Sequence, residues 1–166
     1  MQKIVGSIMV IIVCSVMGFE KSKELQIHLN ELEGLKRIFT ILNSELLYTK
    51  APLSELFLKI SNKTEGLYQE WLRDLATKLD MCGISTFGEL WRNSIRTHFN
   101  NTKLTKQEIK ELEQVGLGLQ YTDTLNLYLT QLDFDIEDTR EELKSKKKMY
   151  QTMGVMCGVF LVIVLF

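Results

Sequence analysis

Charge is segregated along this chain of 166 residues. All 21 acidic residues, and every basic residue except Lys3, lie between Glu20 and Lys148. The run Ile4–Phe19 (IVGSIMVIIVCSVMGF) and the closing run Met149–Phe166 (MYQTMGVMCGVFLVIVLF) carry no charge. A soluble domain spreads charge over its whole surface. Two uncharged ends around a polar middle are built for apolar surroundings. As helices the two runs span roughly 24 and 27 Å, at about 1.5 Å per residue. A bilayer core is about 30 Å thick and takes about 17–25 residues. Both runs fit a short membrane helix with local thinning of the bilayer.

The first run also fits a signal peptide, because Lys3 leads an apolar stretch. The region Cys14–Phe19 has no small-x-small cleavage site, and Val13 stands where a lipoprotein wants a small residue before its cysteine. A retained helix is the expectation. The last run could be a buried core helix, but a segment closing on VFLVIVLF reads as a second span. Lys21 and Lys23 follow the first run, and Lys144, Lys146, Lys147 and Lys148 precede the second. Only Lys3 lies on the far side. Flanking lysines mark the cytoplasmic side. The sequence therefore predicts a membrane helix over residues 1–20, a cytoplasmic domain over 21–148 and a membrane helix over 149–166. Cys14-x-x-x-Gly18 and Gly154-x-x-x-Gly158 put small residues on one face of each span. That spacing permits close backbone approach, so the two spans are expected to pack through Cys14, Gly18, Gly154 and Gly158. Glycine is also common in membrane helices in general.

Between the runs the apolar period is helical. Leu25, Leu29, Leu32, Leu35, Ile38, Phe39, Ile41, Leu42 and Leu46 recur at steps of mostly three or four. They predict a long helix continuous with the first span. Pro52 suits the first turn of a second, with Leu56, Phe57 and Ile60. A third is expected over Thr64–Met81, with Leu67, Trp71, Leu75 and Leu79. Thr86-x-x-Glu89 and Thr105-x-x-Glu108 read as capping boxes. They open a fourth helix with Leu90, Trp91, Ile95 and Phe99, and a fifth with Ile109, Leu112 and Val115 that weakens at Gly116 and Gly118. Asp123 is placed to cap a sixth, with Leu125, Leu129, Leu132 and Ile136, running through the lysines into the last span. No segment alternates like a strand. The expected fold is all-α: a six-helix cytoplasmic bundle flanked by two transmembrane helices.

Composition excludes several functions. The net charge of −1 lacks the basic excess of a nucleic-acid binder. Cys14, Cys82 and Cys157 form no CxxC pair, so neither a disulfide framework nor a zinc site is expected. His28 and His98 stand outside any metal-binding pattern such as HExxH. There is no P-loop, no GxGxxG and no GxSxG, and Gly116-x-Gly118 is too short to count. Trp71 and Trp91 sit at apolar helical positions and read as core anchors. The reading is a non-enzyme, with no catalytic residue, metal, cofactor or small-molecule substrate. The strongest charge block is Asp133, Asp135, Glu137, Asp138, Glu141 and Glu142. It is the candidate face for a basic partner. It also reads as a solvated helix face whose acids pair at i,i+3 and i,i+4 with Arg140, Lys144 and Lys146.

Three ordered runs carry a resemblance. They are Leu42-x-x-Glu45-Leu-Leu-Tyr48-x-x-Ala51-Pro52-Leu53, then Phe87-Gly-Glu-Leu-Trp91-x-x-Ser94-Ile95, then Lys148-Met149…Gly154…Gly158…Leu161-Val-Ile-Val-Leu-Phe166. With an apolar run at each end, they resemble the stage III sporulation protein AB family of endospore-forming bacteria along nearly the whole chain. The stretch Gly116–Leu132 departs from the family pattern, being shorter by about one helical turn. That family is similar to the inner-membrane platform protein of type II secretion and type IV pilus systems. The resemblance implies a six-helix cytoplasmic domain. It also implies an assembly role in the channel complex between mother cell and forespore. The implied location is the mother-cell membrane facing the forespore. The implied partners are a secretion-type ATPase and other membrane subunits of the same complex. From the residues alone, a membrane-tethered signalling or adaptor protein is the alternative. It has little outside the membrane to sense with, only Met1–Lys3.

Overall fold

The structure is a computed structural model. It describes the backbone over residues 2–49, 51–81, 86–119 and 122–165, and side chains within 22–49, 51–81, 86–119 and 123–149 together with Thr152 and Met156. Among the described residues six α-helices follow one another: α1 Gln2–Tyr48, α2 Leu53–Ser61, α3 Leu67–Met81, α4 Phe87–His98, α5 Lys106–Gly118 and α6 Thr122–Leu165. A 3₁₀ turn, Phe99–Asn101, extends α4. No strand occurs among the described residues, as the unbroken 3.6-residue apolar period requires.

Two bodies divide the chain. One is Asn30–Ile136; the other joins Met1–Leu29 with Glu137–Phe166. Both divisions fall inside the segment 21–148, and both fall within a helix. The backbones of α1 and α6 run unbroken from the polar middle through the apolar ends, as the sequence predicts. Among the described residues, no helix is long and apolar enough to cross a membrane. The expected spans at 1–20 and 149–166 lie outside the described side chains, apart from Met149, Thr152 and Met156.

The core of the body Asn30–Ile136 is aromatic. Trp71 and Trp91 are fully buried and meet edge to face with centroids 5.2 Å apart. Phe99 meets Trp71 at 5.0 Å, and Phe57 lies 6.0 Å from Trp91. Phe39 of α1 bridges outward, 6.2 Å from Trp91 and 4.9 Å from Tyr128 of α6. Offset and edge contacts of this kind add about 0.5–1.5 kcal/mol each beyond the area they bury. Leu32, Leu35, Ile38, Leu42, Leu56, Ile60, Leu72, Leu75, Ile95 and Leu112 complete the core around the rings. Consecutive helices pack as neighbours from α2 to α5.

Two glycines make close approaches possible. At Gly116 a Cβ would stand 2.0 Å from Cδ1 of Trp91, whose indole N–H donates to the Leu112 carbonyl at 2.8 Å. At Gly34 a Cβ would stand 2.6 Å from the ring of Tyr68, whose hydroxyl donates to the Glu31 carbonyl at 2.7 Å. Burial pushes the Tyr68 phenol above its ordinary pKa, and the Glu31 charge adds to the shift. Burial raises Tyr128 as well, with smaller contributions from Glu111, Tyr68, Glu108 and Asp135.

Several helix ends differ from the sequence expectation. The third helix starts at Leu67, not Thr64. Gly66 adopts φ +63, which breaks the helical path, and its carbonyl accepts from Gln69 and Glu70 at the new start. Thr64 instead bonds back to the carbonyls of Ile60 and Ser61. Pro52 is the N-cap of α2, one position before its first turn. The capping box at Thr105 forms in full, with the Thr105 hydroxyl accepting from the Glu108 N–H and the Glu108 carboxylate from the Thr105 N–H. The box at Thr86 does not. Thr86 starts α4 with extended backbone but makes no side-chain cap bond, and Glu89 turns to line a surface groove. Asp123 lies inside the first turn of α6, where its charge faces the positive end of the helix dipole.

Candidate functional site

The matching motif residues are mostly architectural. In the run Phe87–Ile95, Phe87 stacks parallel on Phe57 at 6.4 Å, and Gly88 clears space for Leu117. Trp91, Ser94 and Ile95 are buried. In the run Leu42–Leu53, Leu42 is buried and Glu45 pairs with Lys59 of α2 at 2.7 Å. Leu47, Tyr48 and Pro52 are the exceptions, being exposed.

The acidic stretch is divided among different tasks. Asp133 forms an ion pair with Lys36, tying α6 to α1 within the same body. Asp135 accepts from the Gln131 amide at 3.0 Å. In the other body, Glu137 stands 4.0 Å from Arg140 and Glu142 pairs with Lys146 at 2.5 Å. Asp138 and Glu141 are exposed. Partnered acids and exposed ones therefore share α6. The small residues Cys14, Gly18, Gly154 and Gly158 fall outside the described side chains.

Two exposed residues on α6 escaped the sequence reading. Leu125, Tyr128, Leu132 and Ile136 face the core, but Leu127 is 73% exposed and Phe134 is 68% exposed. They are seven residues apart, so two helical turns bring them onto one line, about 10 Å apart along the axis. The signal was their phase: both fall between the core positions. Phe134 is flanked in sequence by Asp133 and Asp135, which places a bare ring in an acidic setting.

A groove of about 430 Å³ opens on α4, lined by Glu89, Leu90, Arg92, Asn93 and Arg96. Glu113 of α5 takes Arg96 at 3.0 Å and lies 4.0 Å from Arg92, so the groove's positive charge is already answered. Asp74 pairs with Lys78 at 2.6 Å and lies 3.9 Å from His98 Nε2, joining α3 to α4. Among the described residues, no group of three His, Cys, Asp or Glu is placed to hold a metal ion.

Comparison with known proteins converges on one family. The family model for stage III sporulation protein AB matches residues 3–166. The stage III sporulation protein AB of Bacillus subtilis (strain 168) is 22% identical over 171 residues, covering 99% of each chain. A solved structure of a stage III sporulation protein AB superposes with a TM-score of 0.66 at 19% identity, covering 71% of this chain and 97% of that one. That likeness is one of fold. With the family model spanning nearly all residues, the chain belongs to the stage III sporulation protein AB family.

Proposed function

We propose that this chain is a non-enzymatic membrane platform of the sporulation channel complex between mother cell and forespore. Its helical body docks a secretion-type ATPase on the cytoplasmic side. Family membership supports the sporulation setting. The observation that carries the platform reading is the continuity of α1 and α6. Each runs as one helix from the bundle into an uncharged run of at least 16 residues. A bundle held between two such helices has restricted diffusion and orientation. That raises its effective concentration toward other subunits in the same membrane. The lysines beside each run orient both termini away from the cytoplasm.

Deleting the gene in its host, and scoring spore formation and vegetative growth separately, tests the reading. The platform predicts a block after engulfment with normal growth. Normal sporulation would remove it. Topology is tested by a reporter active only after export, fused behind Phe166, which should be active. A silent export reporter with an active cytoplasmic reporter at that position would refute the membrane hairpin.

A further inference from the structure

We propose that the outward face of α6 binds a basic amphipathic helix of a partner protein, with Leu127 and Phe134 as its apolar contacts. This rests on the platform reading and gives the chemistry of the partner. A helix on the outside of a bundle ordinarily carries polar residues on its solvent side. Here that side carries a leucine and a phenylalanine, 73% and 68% exposed, in line over two turns. A pair at i and i+7 is the spacing at which one helix reads another. A phenylalanine ring offers one of the largest apolar contacts a single residue can make.

The charges around the pair select the occupant. Asp133 and Asp135 flank Phe134, and their hydrogen-bond and ion-pair partners hold them in place. Along the same helix the sequence continues with Glu137, Asp138, Glu141 and Glu142. The complementary surface is apolar side chains ringed by lysine or arginine. Anionic lipid headgroups are repelled by such a face. A second copy is disfavoured too. Two chains inserted in one membrane in the same direction present α6 in parallel, so acids would meet acids. Like charges directly opposed weaken association and opposite charges steer it.

The test places a photo-crosslinking amino acid at position 127 or 134 of the full chain in sporulating cells, with exposed Thr77 of α3 as the control position. The proposal predicts crosslinks at 127 and 134, absent at 77. The captured peptide should be a protein segment with apolar residues at helical spacing flanked by lysine or arginine. Asp135→Lys together with Asp138→Lys should reduce the yield about tenfold. Capture of a second copy of this chain, of lipid, or of an acidic or neutral segment would overturn it, as would a yield no higher than at Thr77. Leu127→Ser with Phe134→Ser, at unchanged protein level, should lower spore counts about tenfold or more. If gene deletion leaves sporulation normal, the platform reading fails. If deletion blocks sporulation while the double variant sporulates normally without crosslinks, this inference alone fails.

Discussion

The indole ring of Trp91 fills the space above Gly116 where a side chain would project, so that a Cβ there would come within 2.0 Å of Cδ1 and 2.4 Å of Nε1. The ring cannot slide away freely. Its N–H is held by the Leu112 carbonyl and its faces by Phe39, Phe57, Trp71 and Phe87. Gly116→Ala therefore overpacks the core, at about 1–3 kcal/mol. Alanine gains about 1 kcal/mol of helix propensity in return. The net expectation is destabilisation of up to about 2 kcal/mol, read as a lower urea midpoint of the full chain in detergent. A midpoint at or above wild type would show that Trp91 is not locked against α5.

The two tryptophans differ in a way fluorescence and stability can separate. Both are fully buried, so emission of the folded chain should be blue-shifted and resistant to iodide quenching. Trp91→Ala should cost about 3–5 kcal/mol. The Trp91 N–H has the Leu112 carbonyl, whereas the buried Trp71 Nε1 has no hydrogen-bond partner among the described residues. Trp71→Phe should accordingly be the milder of the two phenylalanine replacements. Equal losses at both sites would mean that the Leu112 bond contributes little.

Buried phenols make the body Asn30–Ile136 sensitive to alkali. Tyr68 and Tyr128 have folded pKa values raised, first by burial. A group that must stay protonated in the fold contributes stability below its unfolded pKa, about 10 for tyrosine. That contribution is lost as pH rises above this value, because the unfolded chain releases protons the fold retains. Stability should be flat in this respect at neutral pH and fall above about pH 10. Absorbance of tyrosinate should show Tyr68 and Tyr128 ionising only as the fold is lost. Early ionisation of Tyr68 in a folded chain would contradict its bond to Glu31.

Much of the helical order was legible because the 3.6-residue apolar period is strong and the single proline marks a helix start. The box at Thr105 was legible because both partners lie within four residues. Thr86 carries the same pattern, yet Glu89 goes to the α4 groove, which depends on its neighbours in space. Gly66 as the start of α3 was missed, because an isolated glycine does not announce a positive φ. Gly116 reads as a helix weakener in sequence. Its role as the seat of Trp91 depends on how α4 and α5 cross. The acidic stretch looks uniform in sequence. Only the approach of α1 assigns Asp133 to Lys36 and leaves Phe134 exposed beside it.

Reversing Asp135, Asp138 and Glu142 to lysine together probes the acidic face without touching the core. Asp138 and Glu142 are exposed and Asp135 is half-buried. Exposed charge changes usually stay within about 0.5 kcal/mol each, so the helical signal should persist despite loss of the Glu142–Lys146 pair and the Gln131–Asp135 bond. The proposed docking predicts that binding of the full chain to a secretion-type ATPase of the host weakens and loses its salt dependence. Unchanged affinity at low and high salt, in a folded triple variant, would remove the acidic face and leave the platform itself standing.

The proposed platform docks a secretion-type ATPase through its helical body. Equilibrium binding of the purified full chain, in detergent or a nanodisc, to a secretion-type ATPase of the host tests that proposal. The account predicts saturable binding at low salt that weakens as salt rises, because carboxylates facing a basic partner are screened. No binding at any salt concentration, with both proteins folded, would contradict it.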